Sequence, residues 1–406
     1  MKELHSGQLY WPTTRPESRS YPALRESTSA TVAVIGGGMS GVNCAHAFIS
    51  AGLDTVLVER GEIAGGSTSA NTGILQYSND VMLCDLIGQI GQSNAQIFYR
   101  RCLQAIDELE QTASALPENV GFKRRSSLYF ASTEQELPKL KKEFEALSEA
   151  GLPVEYWSAD EISKHFPFRK PGAIITHGDA EVNPFQFVNA LADAASGKGA
   201  RLYEHTDIVR HERLDGGRHR LHTSGGHTIE ANYVVFAIGY EPEELRGKLV
   251  KAIMNRSYSI ATSPVPEPYL KQWHQHWLIW ETARPYLYMR LTGDGRIIAG
   301  GLDEQIEQPV HSEEVLRKRS LQLLNRIQSL FPEWPLDIEY VWNATFGESQ
   351  DNLPFIGEDP ALPGVYYNLG YGGNGTVYSM IGARTILGLV LGDYSAHPLP
   401  FISIRT

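Results

Sequence analysis

The chain has 406 residues, of which 42 % are hydrophobic and 20 % are charged, proportions typical of a soluble globular protein with room for two domains. Its 36 basic and 47 acidic residues give a net charge of −11, which argues against a nucleic acid or an anionic membrane as the principal partner. The three cysteines lack CxxC spacing, so neither a disulfide framework nor a metal site is predicted.

The N-terminal stretch shows no targeting signal. The first thirty residues are polar, contain prolines and lack an apolar segment. No run in the chain approaches the roughly 20 apolar residues that a membrane helix needs. We therefore expect a cytoplasmic protein that begins with an irregular arm, whose aromatic side chains pack on the outside of the main body.

The first part of the main body predicts a βαβ unit. The runs TVAVIG (31–36) and TVLVER (55–60) are apolar like buried strands, and the segment between them has the periodicity of an amphipathic helix. Further helices are predicted over 92–114 and 132–151, with a hairpin around RRSSLYFAS (124–132) before the second of them.

From residue 171 the pattern changes. A helix over 183–200 is followed by short strands with glycine turns and by the buried strand YVVFAIG (233–239). Residues 250–310 are rich in strands and aromatic residues, residues 312–331 are helical, and the last seventy residues return to strands and a final helix. These alternations predict two domains that the chain crosses several times.

The segment VIGGGMSG (34–41) lies between the first strand and the first helix and fits the pattern G-x-G-x-x-G. Gly36 permits the tight turn, Gly38 lets the backbone approach a diphosphate, and Gly41 lets the helix lie close to the strand. The helix start offers N–H groups and partial positive charge to the phosphates. Glu59 ends the second strand, where a carboxylate accepts hydrogen bonds from ribose hydroxyls and disfavours NADP. Together these features predict a dinucleotide site.

Two further features favour FAD over NAD. The small-residue loop GEIAGGSTSANTGIL (61–75) can wrap a long cofactor with backbone and hydroxyl donors, whereas NAD enzymes usually continue into another βαβ unit. The strand end FAIGY (236–240) can pass close to the adenosine. The cofactor-binding residues predicted in these parts of the chain are Gly36, Gly38, Met39, Ser40, Gly41, Glu59, Arg60, Gly66, Ser67, Thr68, Asn71, Thr72, Gly73, Ile74, Leu75, Ile208, Ala237 and Gly239.

A second glycine-rich segment, YGGNG (371–375), lies between the strand VYYNLG (365–370) and the final helix. It lacks a downstream acid and a second strand, so it does not predict a second dinucleotide site. Such a helix start can instead stabilise the negative charge of a reduced flavin, by about 0.3–1 kcal/mol, or ~2 kcal/mol when partly buried. The residues predicted to lie at the flavin ring are Gly370, Tyr371, Gly372, Gly373, Asn374, Gly375 and Thr376, with Tyr371 as a catalytic candidate.

The sequence resembles the D-amino-acid oxidase superfamily of flavoproteins, which includes glycine oxidase, sarcosine oxidase and gamma-glutamylputrescine oxidase. The resemblance covers residues 31–390 and rests on seven motifs that occur in the family's order. They are VIGGGMSG, GGSTSANTGIL, EVNPFQFVNALADAA, VVFAIGY, PYLYMRLTGDGRIIAGG, DNLPFIG and GYGGNGT. The resemblance implies an α/β fold (α+β overall), in which a Rossmann-type FAD-binding domain is interleaved with a substrate domain built on a large antiparallel sheet.

The same resemblance sets the expected domain boundaries. They are an N-terminal arm at 1–29, an FAD-binding domain at 30–90, 171–245 and 338–406, and a substrate domain at 91–170 and 246–337.

The resemblance also implies oxidation of the C–N bond of a small amine or amino acid, by hydride transfer to flavin N5 and hydrolysis of the imine. Some relatives tether FAD through a His or a Cys, but no His stands in 67–73 and no Cys near 351–357, so FAD should be non-covalent. The oxygen-activating Lys of some oxidases is absent from 286–301. The electron acceptor is therefore oxygen or unknown, and the alternatives are an amine dehydrogenase and a non-catalytic flavin-binding subunit of a larger complex.

Candidate substrate residues come from PYLYMR (285–290), where strand alternation places Tyr286, Tyr288 and Arg290 on one face. A guanidinium binds a carboxylate through two hydrogen bonds, and by similarity this is where glycine oxidase places its carboxylate-binding Arg. A structural ion pair is the alternative interpretation of Arg290. Packing in the core is the alternative for the two tyrosines.

Overall fold

The computed structural model describes residues 3–240, 252–370 and 372–393. Its helices are α1 (Met39–Ser50), α2 (Ser67–Ala70), α3 (Leu83–Ile90), α4 (Gln92–Ser114), α5 (Leu137–Glu149), α6 (Ala159–His165), α7 (Pro184–Gly197), α8 (Glu267–Leu270), α9 (Glu313–Leu330) and α10 (Gly375–Leu391). Within those described ranges, no helix combines the length and the apolarity that crossing a bilayer requires.

The strands are β1 (His5–Gly7), β2 (Thr28–Ile35), β3 (Thr55–Val58), β4 (Ile74–Leu75), β5 (Lys123–Phe130), β6 (Val154–Ser158), β7 (Gly172–Glu181), β8 (Arg201–Tyr203), β9 (Ile208–Arg213), β10 (His219–Thr223), β11 (Thr228–Phe236), β12 (Ala252–Thr262), β13 (Leu278–Glu281), β14 (Leu287–Leu291), β15 (Ile297–Glu304), β16 (Ile338–Ser349), β17 (Phe355–Glu358) and β18 (Val365–Leu369). The strands form two sheets, and the mixed α/β class expected from the sequence is confirmed.

The smaller sheet has eight strands, in the order β17-β18-β11-β2-β3-β8 with β10 and β9 continuing from β11. Strands β2, β3, β8, β11 and β18 run parallel to one another, while β17, β9 and β10 pair antiparallel. The apolar run of β3 is buried throughout, as in a sheet that is covered on both faces. Helix α1 connects β2 to β3, so the predicted βαβ unit is present.

The larger sheet has ten strands, in the order β1-β16-β12-β15-β14-β13-β5-β7-β4 with β6 on β7. Its pairs are antiparallel except that of β13 with β5. One face of its central strands belongs to a second core, where Tyr258, Ile260 and Met289 pack with Trp273 and Phe331. Because side chains alternate along a strand, the residues between them point to the opposite face.

Helices α1 and α10 lie side by side. Asn43 Nδ2 of α1 donates to Ser379 Oγ of α10 at 3.3 Å, and Asn368 Nδ2 at the end of β18 donates to Cys44 Sγ at 3.2 Å. Gly382 allows this close approach, because a Cβ there would clash with the Asn368 side chain. The two helices that follow glycine-rich segments therefore begin next to each other.

The N-terminal arm is part of the larger sheet, whereas the sequence predicted an irregular segment packed on the outside. Strand β1 pairs with β16, with His5 opposite Ala344. Trp11 is 2 % exposed, and its Nε1 donates to the carbonyl oxygen of Asn71 at 2.6 Å. The sequence did not reveal this, because the partner strand lies more than three hundred residues further along the chain.

The sheets do not follow the expected domain boundaries in full. Strands β7 and β16 fall in the ranges 171–245 and 338–406, which were assigned to the FAD-binding domain, yet both belong to the ten-stranded sheet. The division of the chain at those boundaries stays a prediction.

Candidate active site

Three adjacent parallel strands end at one edge of the smaller sheet. Strand β11 pairs in parallel with β2 on one side and with β18 on the other. Neighbouring strands lie about 4.8 Å apart, so roughly 10 Å separates the carboxyl ends of β2 and β18. The two glycine-rich segments and the segment 236–240 therefore meet at this edge, which is where open α/β sheets bind their ligands.

The first glycine loop packs as its pattern predicts. Gly36 has a φ of +110°, and a Cβ there would clash with the carbonyl oxygen of Ala237. A Cβ on Gly41 would clash with the carbonyl oxygen of Gly36, so only glycine lets α1 approach β2 so closely. A Cβ on Gly38 would meet nothing nearer than Thr68 Oγ1 at 3.4 Å. The space beside Gly38 is thus left for a ligand.

The second glycine segment is held between the two sheets. The N–H of Gly372 donates to the carbonyl oxygen of Gly347 in β16 at 2.8 Å, and the N–H of Gly373 donates to Asp80 Oδ2 at 2.7 Å. These bonds fix the start of α10 against the larger sheet. The positive end of the α10 dipole therefore opens on the space between the sheets.

One cavity of about 840 Å³ connects both glycine segments with the larger sheet. The predicted residues that line it are Gly36, Gly38, Met39, Ser40, Glu59, Arg60, Gly66, Ser67, Thr68, Asn71, Thr72, Gly73, Ile74, Ile208, Ala237, Gly239, Tyr286, Tyr288, Gly370, Gly372, Gly373, Asn374, Gly375 and Thr376. The structure thus brings together most of the residues that the sequence singled out, although the role of each one stays a prediction.

Two predicted cofactor residues do not line the cavity. Gly41 packs against the loop itself, and Leu75 is fully buried in the main hydrophobic core. Each of them directly follows a residue that does line the cavity, Ser40 in one case and Ile74 in the other. The catalytic candidate Tyr371 lies outside the described residues.

Glu59 lies at the end of the cavity next to the first glycine loop. Its Oε2 accepts a hydrogen bond from the N–H of Gly37 at 2.6 Å, and its Oε1 accepts one from the N–H of Gly61 at 2.8 Å. Each carboxylate oxygen has a further lone pair, so the ribose hydroxyls expected here can still bind. Thr68 Oγ1 accepts a hydrogen bond from the N–H of Met39 at 3.0 Å. This bond ties the small-residue loop 61–75, called the wrapping loop below, to the start of α1.

The opposite end of the cavity is aromatic. The ring centroids of Tyr286 and Tyr288 lie 5.4 Å apart, and the Tyr286 hydroxyl donates to Asp80 Oδ1 at 3.4 Å. Burial raises the pKa of both tyrosines above its usual range, so their hydroxyls stay protonated at neutral pH. Trp280 also lines this end and stacks on Tyr129 at 3.7 Å between centroids. These groups offer hydrogen-bond donors and ring faces to a ligand.

Arg290 does not line the cavity, and its predicted role in binding a substrate carboxylate stays a prediction. Its Nε donates to the carbonyl oxygen of Thr72 and its Nη2 to that of Val182, both at 2.8 Å, and its Nη1 lies 3.3 Å from Glu181 Oε2. The side chain is 2 % exposed, with its guanidinium 5.0 Å from the ring centroid of Trp11. Strand alternation could not show that the loop 61–75 and the arm cover this position, and these contacts favour the structural interpretation of Arg290.

Several lining residues escaped the sequence analysis. His5 of the arm lines the cavity, and its Nε2 lies 3.0 Å from the carbonyl oxygen of Gly65 in the wrapping loop. Ser257 and Ser259 of β12 and the loop residue Asp80 line it as well. Alternation along β12 could have found the serines, because the residues on either side of them, Arg256, Tyr258 and Ile260, are all large. No local sequence pattern marks His5, because this residue reaches the cavity wall only through the pairing of β1 with the distant β16.

The residues present fit FAD. Two helix starts offer backbone N–H groups to anionic parts of a ligand, and the surface at Gly38 leaves room for a diphosphate. The indole N–H of Trp280 is buried without a partner among the described residues, so a donor is available at the aromatic end. In the part of the chain that the structure describes, no group of three or more His, Cys, Asp or Glu side chains is arranged to hold a metal ion.

Comparisons with known proteins agree with this geometry. A family model described as "DAO: FAD dependent oxidoreductase" matches residues 31–388. The gamma-glutamylputrescine oxidoreductase of Escherichia coli (strain K12) is 24 % identical over 401 residues, which cover 95 % of this chain and 89 % of that protein. The glycine oxidase of Geobacillus kaustophilus (strain HTA426) is 24 % identical over 387 residues, which cover 92 % of this chain and 96 % of that protein.

A Bacillus subtilis (strain 168) protein named as a Rieske 2Fe-2S iron-sulfur protein is 25 % identical over 358 residues, or 86 % of this chain. This chain spans 66 % of that longer protein. Among solved structures, the glycine oxidase from Geobacillus kaustophilus matches with a TM-score of 0.78 at 22 % identity, covering 93 % of this chain and 98 % of that one. The structural match shows a shared fold.

Substitution of two glycines in the first loop distinguishes a glycine needed for backbone packing, Gly36, from one needed for cofactor binding, Gly38. We expect Gly36→Ala to lower the free energy of unfolding by more than about 1 kcal/mol, because its φ is positive and its Cβ clashes. Gly38→Ala should unfold like the wild type without added FAD but bind FAD about tenfold more weakly, a loss of about 1.4 kcal/mol. Chemical denaturation and FAD titration measure the two effects. The control is Gly88→Ala in α3, where a Cβ meets nothing within 4 Å; unchanged FAD affinity in Gly38→Ala would contradict the account.

Arg290→Ala should destabilise the protein by about 3–5 kcal/mol, because it removes one of the two arginines that pair with the buried Glu181 carboxylate and leaves the carbonyl oxygens of Thr72 and Val182 without these donors. The exposed Arg169 pairs with the exposed Asp160, so Arg169→Ala should change the free energy of unfolding by less than about 0.5 kcal/mol. Denaturant unfolding measures both variants. A stable Arg290→Ala protein that has lost only its preference for carboxylated substrates would restore the role predicted from the sequence.

Proposed function

This chain belongs to the family of FAD dependent oxidoreductases, and we propose that it uses FAD to oxidise the C–N bond of a small amine or amino acid. Family membership confirms the resemblance that the sequence motifs predicted, with FAD as the cofactor. Two relatives are named for such nitrogen compounds, one for gamma-glutamylputrescine and one for glycine. Bound FAD would supply the acceptor for a hydride from the carbon next to the amine nitrogen, and water would then hydrolyse the imine.

The observation that carries this proposal is the continuity of the cavity. It extends from the first glycine loop, past the start of α10, to the ring faces on the larger sheet. A dinucleotide site alone would need only the first part. The additional aromatic end gives room for a substrate beside the part of the cofactor that reacts, which favours an enzyme over a non-catalytic flavin-binding subunit.

We assign roles to the lining residues by their positions. Gly36 and Gly38 would admit the diphosphate to the start of α1, and Glu59 would accept the ribose hydroxyls. The segment 372–376 would face the flavin ring. Each of these residues is already held by backbone packing or hydrogen bonds, so little reorganisation is needed when the cofactor binds.

Tyr286 and Tyr288 would contact the substrate rather than remove its proton. Their hydroxyls remain protonated because burial raises the pKa of both residues. Hydride transfer needs a neutral amine and no general base at the reacting carbon, so two neutral phenols that orient the substrate through their rings and hydroxyl oxygens are sufficient. The serine Ser257 lies 3.4 Å from the Tyr288 hydroxyl, which helps to hold that ring in place.

A second candidate function differs from the first in the molecule that accepts the electrons from the reduced flavin. The segment 286–301, which carries an oxygen-activating Lys in some relatives, contains no lysine in this chain. This favours an amine dehydrogenase that passes electrons to an acceptor other than oxygen. We also propose a cytoplasmic location, in keeping with the free thiols of Cys44, Cys84 and Cys102.

Anaerobic mixing with a panel of amines and amino acids tests the proposal. At least one compound should bleach the visible absorbance of the bound flavin within a single turnover. Admission of air afterwards distinguishes the two candidates, since an oxidase regains its colour quickly and a dehydrogenase only with an artificial acceptor. A flavin that stays oxidised with every compound in the panel would support a non-catalytic subunit instead.

A further inference from the structure

The aromatic end of the cavity carries negative charge. Asp80 lines it, with its carboxylate between the N–H of Gly373 at 2.7 Å and the hydroxyl of Tyr286 at 3.4 Å. Burial, and after it the charges of Asp80 and Glu348, raise the pKa of Asp303 to about 6, so the negative charges of these three acids act on one another. The Oδ1 atom of Asp303 is buried and has no hydrogen-bond partner among the described residues. Like charges are therefore crowded here, and a cation would relieve them.

Among the described residues, the positive charge nearest to these acids comes from Arg284, which offsets part of their charge from outside the cavity lining. Of the described residues that line the cavity, Arg60 is the only arginine or lysine, and it follows Glu59 at the opposite end. Arg284 lies outside on the exposed surface, where its Nη2 donates to the carbonyl oxygen of Asp80 at 3.3 Å and its guanidinium covers the Tyr286 ring at 4.4 Å. Arg290 is held by backbone carbonyls. A substrate carboxylate would thus meet other carboxylates here.

The ring faces suit a cation for an independent reason. An ammonium group within about 6 Å of an aromatic ring centre is attracted by the ring quadrupole. Tyr286, Tyr288 and Trp280 all line this end. Trp280 is only 7 % exposed, and its indole N–H has no partner among the described residues. This donor calls for an acceptor atom of a ligand in the same space, while the indole ring would face the ammonium group.

We propose that the substrate is an amine with a second, protonated amino group, held by Asp80 beside the rings of Tyr286 and Trp280 while the first amino group is oxidised. This inference rests on the proposed function and specifies its substrate class. The reacting amino group must be neutral to release a hydride, so it cannot itself supply the positive charge that these carboxylates favour. A second ammonium group on the same molecule supplies it.

Three compounds of equal chain length test the proposal, namely 1,4-diaminobutane, n-butylamine and 4-aminobutanoate. They share one reacting amine and differ at the far end by an ammonium, a methyl or a carboxylate group. With the FAD-loaded protein under anaerobic conditions, we expect the diamine to bind at least tenfold more tightly than butylamine, and 4-aminobutanoate to bind most weakly. Binding is read from the perturbation of the flavin spectrum and from the concentration dependence of flavin reduction. Equal or tighter binding of 4-aminobutanoate would overturn the proposal.

Charge-neutralising variants assign the effect to named residues. Asp80→Asn should reduce the preference for the diamine over butylamine to less than threefold. Because Asp80 also accepts a hydrogen bond from Gly373, FAD content and thermal unfolding are measured alongside. Asp303→Asn serves as the second variant, since its Oδ1 has no hydrogen-bond partner among the described residues and the amide can keep the hydrogen bond with Ser257. The control is Asp85→Asn in α3, an acid outside the cavity lining, which should keep the wild-type preference.

The outcomes separate this inference from the proposed function. If no compound reduces the flavin but the diamine perturbs its spectrum with the lowest Kd, the inference about charge stands and amine oxidation fails. If amines reduce the flavin without any preference for the diamine, only the inference fails. A preference that persists unchanged in both Asp80→Asn and Asp303→Asn would also overturn it.

Discussion

The site depends on the parallel pairing of β11 with β2 on one side and β18 on the other. That pairing brings strand ends from residues 35, 236 and 369 to one edge of a sheet, within roughly 10 Å of one another. Two of these strands lead directly into helices that lie side by side. The glycine-rich segments at opposite ends of the sequence therefore face one cavity and can hold two parts of the same extended cofactor.

Asp80 lies where two electrostatic requirements meet. The start of α10 offers positive potential to a reduced flavin, which carries negative charge. Asp80 accepts a hydrogen bond from the N–H of Gly373 at that helix start, so its negative charge already offsets part of the positive potential. The same carboxylate faces the aromatic end, where it favours a cation. A cationic substrate beside Asp80 would thus also reduce the repulsion between this carboxylate and a negatively charged flavin.

How far the sequence predicted the structure depends on how local each feature is. The βαβ unit, the roles of Gly36 and Gly41, and the glycine-rich start of α10 could all be inferred, because each depends on a few neighbouring residues. The family could be inferred from the order of such local motifs. The placement of His5 in the cavity wall could not, since it requires pairing between β1 and the distant β16.

Arg290 shows a second limit of sequence reasoning. An arginine on a strand is compatible with carboxylate binding, and Arg290 does lie on a strand, β14, as the sequence predicted. Whether an arginine is free to bind a ligand depends on the carbonyl groups and acids around it, which come here from the wrapping loop and from the end of β7. The opposite holds for Asp80, which no motif marks and which only the fold brings to the cavity.

A crystal structure of the protein with FAD bound tests the central claim most directly. We expect density for a single FAD, with its diphosphate within about 3 Å of backbone N–H groups at the start of α1 and its ring between residues 372–376 and Tyr288. A diphosphate bound at the second glycine segment, or a flavin ring remote from both that segment and the larger sheet, would contradict the account.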